Sequence, residues 1–161
     1  MRALPMSERA FVAERIDETA LTAIAKKLAG AVGEGGVIHL VGPLGAGKTT
    51  FARALLTTLG VGSRVKSPTY SLIESYTAGL LGVQHLDLYR IADAEEVEWL
   101  GLRDFAEPQL WLIEWPERAQ GAIPTADMVV SLSHAGMVRD ARLDALTPRG
   151  SAWLESLASA G

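Results

Sequence analysis

The residues best placed to do chemistry are Gly42, Gly47, Lys48 and Thr49, which fill the spacing G-x-x-x-x-G-K-[ST], with Gly45 as a further glycine inside it. Glycines free the backbone to turn successive N–H groups toward one anion, and a helix starting at Lys48 would add its positive dipole end. Lys48 supplies a flexible point charge suited to β and γ phosphates, and the Thr49 hydroxyl suits the coordination shell of a magnesium ion bridging them. The expected nucleotide contacts are Gly42, Leu44, Gly45, Ala46, Gly47, Lys48, Thr49 and Thr50. A short match in a glycine-rich chain can arise by chance, but here an apolar strand pattern precedes it and an amphipathic helix pattern follows, which is the context the motif requires.

A phosphate loop needs a carboxylate to hold or orient magnesium, usually at the end of a neighbouring apolar strand. Glu114 closes the run Leu110-Trp111-Leu112-Ile113, and Asp87 closes Val83 to Leu86. The bland role for either is a helix cap or half of a surface ion pair. Ser67-Pro68-Thr69 follows the loop helix where switch segments sense the γ-phosphate, or else is a strand entrance stiffened by proline. Arg90 is either a stabiliser of phosphate charge or an ion-pair partner for Glu95, Glu96 and Glu98. His39, His85 and His134 have no metal-binding spacing and read as structural, while Trp115 could flank the nucleotide. Without an N-K-x-D motif for guanine, ATP is favoured over GTP.

Several elements must position these groups. Leu21, Ile24, Leu28 and Val32 recur at helical spacing after Asp17, a good N-cap, and Gly33 is the expected stop. Val37 to Val41 reads as a strand buried on both faces, and Phe51, Ala52, Leu55, Leu56 and Leu59 form one side of a helix closed by Gly60. Lys66 to Tyr76 and Leu80 to Leu88 read as an antiparallel hairpin, and Ala94 to Leu100 as a short acidic helix. Strands are expected at Leu110–Ile113, Met128–Leu132 and Arg142–Leu146, and a final helix at Pro148–Leu157.

The 161 residues suit one domain, with residues 1–15 at its periphery. With 48% hydrophobic and 21% charged residues the chain is neither disordered nor fibrous, and a net charge of −4 argues against broad nucleic-acid binding. There are no cysteines, which closes thiol catalysis and thiolate metal sites. No stretch has the roughly 18 consecutive apolar residues of a membrane span, and the N-terminus lacks an apolar signal core, so a cytoplasmic location without membrane association is expected.

The ordered series GPLGAGKTTFAR from Gly42, KSPTYSL from Lys66, HLDLYRIADAEE from His85, LGLRD from Leu100 and LIEWPER from Leu112, with Asp17-Glu18-Thr19 before it and Arg139 and Arg142 after it, resembles the bacterial TsaE (YjeE) family. The resemblance spans about residues 17 to 145, and SPTY, LDLYR and IEWP make it far more specific than the loop alone. Together with the element order it implies an α/β, three-layer P-loop fold with a mixed, mainly parallel central sheet and an antiparallel hairpin. It also implies a magnesium-dependent ATPase, binding ATP or ADP, that acts with TsaB and TsaD in threonylcarbamoyladenosine modification of tRNA and meets tRNA only through that complex. By the same resemblance Thr49 and Glu114 hold magnesium, Asp87 lies near the attacking water, Ser67 and Thr69 belong to a switch-like segment, and Thr19 and Arg139 border the adenosine. Pro43 departs from the family, which usually has aspartate there. The competing readings are a small-molecule kinase, for which residues 117–126 look too short to be a lid, and a nucleotide-dependent assembly factor that does not hydrolyse ATP.

Overall fold

The computed structural model describes residues 9–61, 72–98 and 109–159. Seven strands form one sheet: β1 (Ala10–Ile16), β2 (Gly36–Val41), β3 (Ile73–Ala78), β4 (Leu81–Asp87), β5 (Gln109–Glu114), β6 (Met128–Ala135) and β7 (Val138–Ala145), in the spatial order β1-β7-β6-β2-β5-β4-β3. The four central strands β6, β2, β5 and β4 run parallel, while β3 and the β7-β1 pair are added antiparallel at the two edges. The helices are α1 (Glu18–Ala29), α2 (Lys48–Leu59), the short α3 (Glu95–Glu98) and α4 (Pro148–Ser159).

Strand alternation divides the central side chains between two apolar clusters. Ile38, Leu40, Val83, Leu110, Leu112, Met128 and Val130 face α1, α2 and α4, where they meet Leu21, Leu28, Phe51, Leu55, Leu56 and Trp153. On the other face Leu86, Trp111 and Ile113 are covered by thinner material, with Ile91, Val97 of α3 and Ala119 of a single 3-10 turn, Pro116–Ala119. Burial on both faces explains why the central strands read as apolar runs.

Three boundaries differ from expectation. The first helix stops at Gly30, not Gly33, because a turn donating from Ala31 N–H to the Leu28 carbonyl still carries Val32 into the core, so the apolar period outlasts the helix. The hairpin at Met128 and Arg142 is longer than its apolar parts: β6 and β7 pair through Ala135 and Val138 about a turn at Gly136-Met137. Residues 10–15, part of the segment 1–15 set at the periphery by sequence, form with Ile16 the edge strand β1 against β7, with a register irregularity between Ala13 and Ile16 that spoils its alternation. The antiparallel β3–β4 hairpin is present and turns at Gly79-Leu80, while its expected start at Lys66 lies outside the described residues. Among the described residues no helix is long and apolar enough to cross a membrane.

Candidate functional site

The glycine-rich loop joins β2 to α2, and two of its glycines are there for steric reasons. Gly42 has φ 146°, and a Cβ on it would lie 2.3 Å from the Leu132 carbonyl oxygen. Gly47 has φ 109°, and a Cβ there would meet Arg139 Nη1 at 2.9 Å and Leu21 at 3.0 Å. Gly47 is also the N-cap of α2 and offers no side-chain acceptor, so the first turn is left uncapped for an anion.

Lys48 is almost fully buried, at 5% exposure. Its Nζ donates to the Gly42 and Pro43 carbonyls of its own loop and lies 4.2 Å from the centre of the Trp115 ring. Pro43 therefore contributes through its backbone oxygen, which any residue at that position would present. Burial holds the Lys48 ammonium below its ordinary pKa, while Glu114, Asp87 and Glu117 pull it back up.

The two carboxylates sit where adjacent parallel strands end, Asp87 directly opposite Glu114 in the β4–β5 register. By alternation both lie on the α2 face of the sheet, Glu114 in line with Leu110 and Leu112, Asp87 with Val83. Thr49 Oγ1 donates to Glu114 Oε1 at 2.9 Å. Asp87 Oδ1 accepts from the Tyr89 amide at 3.1 Å. Burial raises the Asp87 carboxyl above its ordinary value, and Glu114 adds to the rise; the Tyr89 amide, His85 and Lys48 oppose it.

A cavity of about 470 Å³ gathers these groups, lined by Leu44, Gly45, Gly47, Lys48, Thr49 and Thr50 of the loop and its helix, Asp87, Tyr89 and Arg90 at and after the end of β4, Glu114 and Trp115 at the end of β5, and Glu18 and Arg139. Ala46 is buried beneath the loop. Thr19, the residue after Glu18, is exposed on α1 and is not part of the lining. Ser67 and Thr69 lie outside the described residues. A larger cavity of about 650 Å³ opens on the opposite face beside His39, Ile123, Pro124 and Val129, but none of the phosphate-loop groups reach it.

Tyr89 and His85 were not legible as site residues, whereas Trp115, read from the sequence as able to flank the nucleotide, lines the cavity. Tyr89 stacks on Trp115 at 4.9 Å between ring centres, walling one side of the cavity, with the Arg118 guanidinium 5.6 Å from the Tyr89 ring. Trp115 holds this place with φ 59° and ψ 50°, a backbone conformation uncommon outside glycine. His85, assigned a structural role by sequence, places Nε2 2.6 Å from Glu114 Oε2. Its position two residues before Asp87 on one strand face was the available signal.

A strand-loop-helix phosphate cradle, with two carboxylates at the ends of neighbouring parallel strands, defines a P-loop nucleotide-binding protein. A model of the family "Threonylcarbamoyl adenosine biosynthesis protein TsaE" matches residues 16–142, and the chain belongs to that family. It is 44% identical over 115 residues to the tRNA threonylcarbamoyladenosine biosynthesis protein TsaE of Haemophilus influenzae, covering 71% of this chain and 73% of that one. Its identity to the protein of the same name in Bacillus subtilis is 38% over 115 residues, 71% of this chain and 72% of that one. The fold is similar to the crystal structure of Bacillus subtilis YdiB, with a TM-score of 0.74 and 26% identity over 94% of this chain and 95% of that one.

Proposed function

We propose that this chain is a cytoplasmic, magnesium-dependent ATPase that drives or resets a TsaB–TsaD transferase complex during threonylcarbamoyladenosine modification of tRNA. The observation that carries the reading is the convergence of Lys48, Thr49, Glu114 and Asp87 on one cavity at the ends of three adjacent strands. Thr49 and Glu114 set two oxygen donors side by side, the kind and number of protein ligands that magnesium takes beside phosphates. Bound there, magnesium would neutralise charge on the β and γ phosphates.

Lys48 exchanges the Gly42 and Pro43 carbonyls for phosphate oxygens, which carry more negative charge. Asp87 orients a water for attack on the γ phosphorus: the new bond forms from the water oxygen, the bond to the β–γ bridging oxygen breaks, and the water proton passes to Asp87. A carboxyl raised by burial is better matched to that proton than an ordinary surface aspartate. We take Arg139 to border the nucleoside; it lines the cavity together with Glu18 of α1 and Arg90. The catalytic groups come from the ends of three strands, so a docking partner can tighten them, and hydrolysis by the isolated chain is expected to be slow.

Phosphate release measured with and without TsaB and TsaD tests the reading. Wild type should be stimulated by the partners, and Lys48→Ala and Glu114→Ala should each lose about a hundredfold or more. Equal rates in all three proteins would refute the site.

A further inference from the structure

We propose that His85 is a positioning residue for magnesium, its imidazole holding the Glu114 carboxylate so that the oxygen nearer Thr49 faces the metal position. The inference rests on Thr49 and Glu114 being the magnesium-holding pair.

The geometry is specific. His85 and Glu114 are 1% and 2% exposed, and Nε2 to Oε2 is 2.6 Å. The other carboxylate oxygen, Oε1, accepts from Thr49 Oγ1. Each oxygen of Glu114 thus has its own donor, and the two donors lie on different elements, β4 and α2. A carboxylate held at one oxygen only can rotate about its last bond; held at both, it cannot. Thr49 can give a lone pair of its hydroxyl oxygen to a metal and still donate to Glu114, so with His85 on the other oxygen the carboxylate plane stays fixed while the metal binds.

The ring's own hydrogen bonding points the same way. Glu114 as a carboxylate can only accept, so a ring hydrogen must be on Nε2, which leaves Nδ1 to find a partner elsewhere. Nδ1 is buried and has no hydrogen-bond partner among the described residues. A buried ring nitrogen without a partner costs stability, and an apolar side chain at the same place in β4, beside Val83 and opposite Leu112, would avoid that cost. The histidine is therefore retained at a cost to the fold, and the contact it gains is the one to Glu114.

The test uses full-length protein bound to a non-hydrolysable ATP analogue, with manganese as the metal probe read by electron paramagnetic resonance. His85→Leu should weaken manganese binding about tenfold or more, the usual effect of removing a group that orients a metal ligand, while analogue affinity in EDTA stays within about twofold. His85→Gln, whose amide N–H reaches nearly as far as Nε2, should restore most of the loss. Glu114→Gln should weaken the metal at least as much, and His85→Leu should add nothing in that background, because the two act through one ligand.

If Glu114→Gln leaves manganese binding unchanged, the magnesium-holding pair is wrong and the inference falls with it. If Glu114→Gln weakens the metal but His85→Leu does not, only the positioning role is overturned. Equal losses with and without metal would reduce His85 to a structural residue. Should His85→Leu fail to fold, His85→Asn, too short to reach Oε2, carries the same expectations. Nitrogen-15 shifts of wild-type His85 should show the hydrogen on Nε2, and the opposite tautomer would overturn the assignment without any variant.

Discussion

Helices α1 and α2 are both twelve residues long, pack against each other on one face of the sheet, and begin in opposite ways. At the start of α1, the Asp17 side chain accepts from the Ala20 amide at 2.8 Å, and Glu18 adds a second negative charge in the first turn. This end is satisfied from within the chain. At the start of α2 stands Gly47, with no side-chain acceptor and no acidic residue in the first turn. Negative charge is nearby, on Glu114, which accepts from Thr49, and on Asp87, but both belong to the ends of neighbouring strands rather than to the helix. One helix spends its N-terminus on its own stability; the other leaves it for a ligand.

The largest effect that sharpens the contrast concerns the charge at the end of β4. Asp87→Asn should lower phosphate release by about a thousandfold, within the range for losing a general base, yet make the protein more stable at neutral pH. The sign follows from burial, which raises the Asp87 carboxyl in the folded state above its ordinary 3.8, so the native protein binds this proton more tightly than the unfolded chain. Stability is lost as pH rises from 3.8 through the raised value, and the neutral asparagine escapes that loss. Thermal melts of both proteins should differ at pH 7 and converge in acid below 3.8; a less stable variant at pH 7 would mean that the carboxylate is held favourably.

Next comes Gly47→Asp, which would give α2 the same kind of cap as α1. ATP affinity should fall by about thirtyfold, the upper end of what one charge at a helix N-terminus is worth, and the strained backbone and the approach to Arg139 should lower stability as well. Calorimetric titration checks it, and unchanged affinity would show that the bare N-terminus is not used. The smallest effect is Asp17→Ala, expected to cost about 1 kcal/mol and to lower Tm by about 2–4 °C with ATP affinity unaltered. A loss of affinity there would break the comparison, since it would tie the cap of α1 to the nucleotide.

The contrast between the two helix starts was partly visible in the sequence, because caps and loop glycines are local: Asp17, Gly47 and Gly60 each announce a boundary through their own backbone chemistry. The ends of β4 and β5 were also legible, since an apolar run closed by Asp87 or Glu114 needs no knowledge of the partner strand. What escaped depends on neighbours. His85 looks like any strand histidine until β5 lies beside β4 and brings Glu114 within reach. Tyr89 and Trp115 are 26 positions apart and meet only because their strands end side by side. The far ends of β6 and β7, with Ser133, His134, Arg139 and Asp140, extend beyond the buried body of the sheet and so carry no apolar pattern.

Lys48, tethered to the Gly42 and Pro43 carbonyls, fastens the glycine-rich loop to itself. A cation with two acceptors in its own loop holds the shape of that loop without help from other elements. The loop is thus shaped by a closed set of bonds of its own. Under the proposed ATPase function, any conformational timing would come from the groups around the loop rather than from the loop itself.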